Sequence, residues 1–244
     1  MARLRFVVLT AFVFSSFFAG RAAAADDDPK SNDPPPNKLT LAYYDFSSGK
    51  NGGDVNLRHT FKSTTGWIGV YHQSDGFDQI RLGYEYDYHE GWRTFVPSVQ
   101  VASHGFLGFT LYGEAGHRVF AIGGYGRTNL NPYWNLGFDP NDYAQFGVGY
   151  RDHASNTISV YAIHDIRLGT GQTNTHFYFR RHFGEWRWTV DVVNEHGDGD
   201  DGAINAWSVS VDADWRRWFV RIAEDPHVNY TPDRQLRVAS GLRF

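Results

Sequence analysis

The sequence predicts an all-β protein, an antiparallel up-and-down transmembrane β-barrel of fourteen strands. Three observations predict it. Apolar and polar residues alternate with period two along most of the chain, the lengths of the connectors sort by parity, and tryptophans gather beside the short connectors. Aromatics make up 17% of the residues and the mean hydropathy is negative, a combination that alternation along strands explains.

Residues 1–25 are read first as a signal peptide. Arg3 and Arg5 give a basic start, Phe6 to Ala19 an apolar run too short to span a bilayer, and Ala22 to Ala25 a small-residue cleavage site. Removing them leaves 20 basic against 27 acidic residues, a net charge of −7, which excludes the basic face that nucleic-acid binding needs. The chain has no cysteine, so no disulfide and no thiol chemistry enter. Residues 26–37 (DDDPKSNDPPPN) form an acidic, proline-rich periplasmic lead-in. The barrel is expected over residues 38–244.

Fourteen alternating runs begin near residues 38, 54, 66, 78, 92, 106, 118, 143, 156, 173, 186, 203, 215 and 234. In the fourth, Ile80, Leu82, Tyr84, Tyr86 and Tyr88 alternate with Gln79, Arg81, Gly83, Glu85 and Asp87. Pro97 interrupts the fifth run, and proline enters a closed sheet poorly except at a bulge, so twelve strands is the alternative count. After odd-numbered runs most connectors are long: SSGKNGG, residues 128–142 (TNLNPYWNLGFDPND), LGTGQTN, NEHGDGDDG and EDPHVNYTPDR. After even-numbered runs they are short. Short periplasmic turns and longer extracellular loops produce this parity. Trp67, Trp92, Trp186, Trp188, Trp215 and Trp218 lie beside the short turns and are expected to form the membrane-interface girdle.

The face opposite the lipid is expected to line a lumen with Arg58, Arg81, Glu85, Asp87, Glu114, Asp191, Asp212, Arg221 and Arg237. Both signs are present, so no ring selects one ion. Two readings follow: a narrow water-filled channel for small polar solutes, or cross-strand ion pairs that close the lumen. Residues 128–142 carry Tyr133, Trp134, Leu136 and Phe138, too apolar for a solvated loop. Tyr133, Trp134 and Phe138 are the expected loop constriction or lid. Residues 194–202 cluster acids with glycine, but the spacing is not that of an EF-hand, so no metal and no cofactor is assigned.

One hairpin raises a different chemistry. His72, Ser74 and Asp78 surround the turn at Asp75-Gly76, and serine, histidine and acid can serve as nucleophile, base and orienter. A three-residue turn would set Ser74 opposite Asp78 and His72 opposite Ile80, leaving His72 and Asp78 diagonal.

From residue 38 to Phe244 the chain resembles bacterial outer-membrane β-barrels. The resemblance implies the outer membrane of a Gram-negative bacterium, lipid and lipopolysaccharide as surroundings, and the barrel-assembly machinery as a partner of the strand ending in Phe244. SHGF (Ser103 to Phe106) and NLNPYWNLGFDPND are similar to stretches of proteobacterial barrels, which implies no activity. His72-Gln73-Ser74-Asp75-Gly76 resembles the His-x-Ser motif of outer-membrane phospholipase A and the lipid A deacylase. In those families the third member lies about a dozen residues beyond the serine, whereas Asp78 follows Ser74 by four. Three functions are therefore carried forward: a channel or binding barrel, a lipid hydrolase using Ser74, His72 and Asp78, and a structural or surface-interaction barrel.

Overall fold

The computed structural model describes residues 35–134 and 139–244; the expected signal peptide, most of the lead-in, Leu136 and Phe138 lie outside them. Fifteen strand segments follow in order: β1 Asn37–Phe46, β2 Asn51–Phe61, β3 Thr64–Gln73, β4 Asp78–Tyr86, β5 Tyr88–Glu90, β6 Arg93–Ala102, β7 Phe106–Gly116, β8 Val119–Thr128, β9 Tyr143–Arg151, β10 Thr157–Asp165, β11 Thr173–Phe183, β12 Trp186–Gly199, β13 Gly202–Trp215, β14 Trp218–Asp225 and β15 Gln235–Arg243. Each pairs antiparallel with its sequence neighbour, except that β4 and β5 both pair with β6. β1 pairs with β15, so the sheet closes on itself. β4 and β5 are one strand with a gap, and the barrel has fourteen strands.

The gap has a local cause. Glu85 is opposite Ser98 and Tyr88 is opposite Phe95, so the register is unbroken across Asp87. Pro97 stands against the missing rungs. It has no N–H to give to the β4 side, while on its other side it stays in register with Leu111 of β7. The proline costs the ladder a rung or two and does not require a bulge.

At the end that carries both chain termini, five of the six connectors are two-residue turns, as at 62–63 and 184–185; the sixth is 152–156. The opposite end carries 129–142, 166–172 and 226–234. Residues 194–202, expected as a loop, are instead a paired hairpin: β12 and β13 stay in register out to Gly199 and Gly202.

Alternation sets what faces where. Leu41, Val55, Leu57, Ile68, Val70, Ile80 and Leu82 are exposed on the outer wall, an apolar band that suits hydrocarbon rather than water. Trp92, Trp186, Trp188, Trp215 and Trp218 are exposed at the short-turn end. Trp186 lies 6.0 Å from both Trp188 and Trp215, centroid to centroid. Trp67 corrects the expectation. It is only 7% exposed and points inward, with the Arg58 guanidinium 4.8 Å from its ring. The indole occupies the space that a side chain at Gly83 would need, since a Cβ there would lie 1.9 Å from it.

Candidate functional site

The interior is mixed: charged pairs line parts of it, and a buried cluster that includes Val96, Tyr112, Phe120, Ile122, Tyr161 and Ile163 fills another part. Arg81 of β4 reaches across β3 to Asp54 of β2, and both are buried. Arg58 meets Glu85 at 3.5 Å, Arg151 meets Glu114 at 2.9 Å, and Arg221 grips Asp212 with two N–H groups. Asp214 takes Arg187 at 3.0 Å and Arg243 at 2.6 Å. Asp191 meets His176 Nδ1 at 3.0 Å, and Tyr161 stacks on that imidazole. Arg237 is buried on β15. Asp87 sits half-buried in the gap between β4 and β5, where its N–H donates to the Ser63 carbonyl. The two signs thus sit side by side rather than in separate rings.

Residues 129–142 enter this interior. Asn129 and Asn131 first donate their side-chain amides to the Gly105 carbonyl, and the Tyr133 ring lies 4.3 Å from Phe106. The two stretches SHGF and NLNPYWNLGFDPND therefore touch. Tyr133 then donates its hydroxyl to Gln100, and burial pushes its phenol up to about 12. Trp134 goes deeper. It stacks on Tyr71 at 4.4 Å and meets Tyr44 and Phe46 edge-on. Its backbone N–H donates to Gln79 Oε1 at 2.6 Å, and its backbone carbonyl accepts from Arg81 at 2.6 Å. On the far wall Asp139 accepts from Asn174 at 3.0 Å and meets His176 Nε2 at 2.8 Å. Asp142 returns to the wall, where it accepts from Thr128 and Arg167. The described parts of the loop thus touch β1–β4 through Trp134 and β11 through Asp139. Phe138, the third expected constriction residue, lies outside the described residues.

The outer hairpin assembles differently from expectation. His72 pairs directly with Asp78 across β3 and β4, at 2.5 Å from Nδ1 to Oδ1, because the turn is centred on Asp75 rather than Gly76, with the Gln73 N–H donating to the Phe77 carbonyl. Ser74 lies in that turn, and its hydroxyl accepts from the Asn51 N–H at 3.0 Å. The structure thus brings histidine and acid together and turns the serine hydroxyl toward β2.

Several interior residues escaped the sequence reading. Asp54 shares its parity with Arg58 and could have been found that way. Asn174, His176 and Asp139 could not, since only the inward fold of the loop joins them.

Closed topology, an apolar outer band and an interior that holds buried charged pairs define a transmembrane β-barrel with the architecture of outer-membrane porins. No protein-family model matches the chain, and neither does any curated protein sequence. Among solved structures it is similar to the outer membrane protein Omp33 of Acinetobacter baumannii. Identity is 8%, with 86% of this chain and 99% of that one covered, at a TM-score of 0.58. The KdgM porin (10% identity, 85% and 99% covered, TM-score 0.47) and the NanC porin (7%, 84% and 100%, 0.47) are also similar. These likenesses concern the fold.

Proposed function

We propose that the protein is a narrow, loop-gated channel for small polar solutes in the outer membrane of a Gram-negative bacterium. The observation that carries this reading is the loop 129–142, whose Trp134 and Asp139 are held on different walls of an interior rich in ion pairs. A watertight core is built more cheaply from apolar residues, because buried ion pairs seldom repay their desolvation. A lumen that fills with water when the loop lifts keeps its charges solvated. The loop contacts suit release, since they are hydrogen bonds, ion pairs and two aromatic contacts rather than a covalent or sheet connection. Mixed charge along the wall implies weak selectivity. The exposed C-terminal Phe244 suits recognition of the last strand by the assembly machinery, and the outer band suits lipid and lipopolysaccharide.

Liposome swelling tests the reading. Vesicles with the refolded protein should swell in small sugars and amino acids and exclude large oligosaccharides. Neutralising Glu85 (Glu85→Gln) should shift the reversal potential in a salt gradient; an unchanged potential places Glu85 outside the solute path.

The His72–Asp78 pair favours a second reading, acyl transfer from lipid to Ser74. It requires Ser74→Ala to abolish acyl release from phospholipid while the barrel still folds. Equal release by both proteins ends it.

A further inference from the structure

Two carboxylates inside the barrel stand apart from the rest. Glu195 of β12 and Asp225 of β14 are 1% and 0% exposed. Asp54, Glu85, Glu114, Asp212 and Asp214 each meet an arginine. Among the described residues, no arginine, lysine or histidine makes an ion pair with Glu195 or Asp225.

Topology makes them neighbours. β13 lies between their strands; Glu195 is opposite Ala206, and Val209 is opposite Glu224, which sets Ser208 beside Asp225. The Ser208 side chain is 1% exposed and faces Glu195 without closing a well-formed hydrogen bond. Both Glu195 oxygens, Asp225 Oδ2 and Ser208 Oγ are buried without a well-formed hydrogen bond, and the two carboxyl groups lie close enough to share a proton. The other Asp225 oxygen accepts from the His227 N–H at 2.8 Å. Around them stand Asn174, opposite Glu195 on β11, and Gln235, opposite Asp225 on β15. Tyr230 roofs the group, its hydroxyl donating to Asn174 Oδ1 at 2.6 Å.

Two buried carboxyl groups in each other's field need a shared proton or a countercharge, and Arg237 acts on Asp225 only from beyond ion-pair distance. The donors aimed into the space are all hard oxygens, which suits calcium and magnesium over transition metals. Calcium accepts irregular oxygen geometry, whereas magnesium demands an octahedron and holds its waters. We propose that Glu195, Asp225 and Ser208 form a binding site for a calcium-class divalent cation. The cation bridges β12 to β14. Through the His227 N–H on Asp225 and the Tyr230 roof it also fixes residues 226–234 over the extracellular mouth. The site does not depend on the channel reading.

The test is calcium titration of the full-length refolded protein in detergent after EGTA treatment, followed by calorimetry and thermal unfolding. One calcium should bind per chain and raise the melting temperature, with magnesium weaker. Glu195→Gln and Asp225→Asn should each abolish the response, and Ser208→Ala should weaken binding by roughly 10-fold or more, the scale on which supporting groups of a metal site act. A folded wild type indifferent to calcium overturns the proposal, and that measurement stands even where a variant fails to fold. A calcium response kept by both carboxylate variants overturns it too. So does a stability that responds to acid but not to calcium, which would mean that the pair shares a proton.

Discussion

Trp67 shows how one residue can defeat a correct pattern. Its run offers two parities, one with Trp67 and Tyr71 outward and one with Ile68 and Val70 outward. What decides between them is Gly83 on the next strand, whose missing side chain leaves an indole-sized space inside. That information is not local. Removing the indole leaves a cavity, so Trp67→Ala should cost about 3–5 kcal/mol, read from urea unfolding in vesicles. A lipid-soluble quencher should dim Trp92 and Trp218 but not Trp67, when each is the only tryptophan retained. At the same scale, Arg81→Ala strands the buried Asp54 carboxylate and should cost about 3–5 kcal/mol. A loss below 1 kcal/mol would mean that water already reaches Asp54.

Among the elements, the strands were legible because each repeats its pattern over several residues. Their connections were less so. Asp75-Gly76 announces a turn but not its centre, and a shift of the centre by one residue moved Asp78 from opposite Ser74 to opposite His72. Residues 194–202 looked like a loop because acids and glycines dominate them, yet pairing with residues 202–207 extends the strand. The composition of 129–142 required that it pack somewhere. Where it packs depends on Gln79, Arg81, Asn174 and His176, which are scattered over the chain. Trp134→Ala removes the stack on Tyr71, so it should loosen the loop and speed proteolysis within 129–142, while the heat-modifiable migration of the folded barrel is unchanged. A loop equally resistant in the variant would show that hydrogen bonds alone hold it.

For the whole molecule, closure is what parity foretold: an even strand number, termini at the end with short turns, and no free edge. The unequal ends of the barrel were readable from connector lengths alone. The state of the lumen was not, because alternation says only that Arg81 and Glu85 face away from Ile80 and Leu82. Whether such residues solvate a pathway or pair across it depends on distances between strands remote in sequence. The charged pairs of the interior and the loop held on two of its walls together make the gate the central claim. The most direct measurement is single-channel conductance in a planar bilayer, comparing the wild type with a Trp134→Ala, Asp139→Asn double variant that removes the stack on Tyr71 and weakens the contact with His176. The account predicts small, interrupted steps for the wild type and larger, longer openings for the variant. Two folded barrels that both stay silent would contradict it.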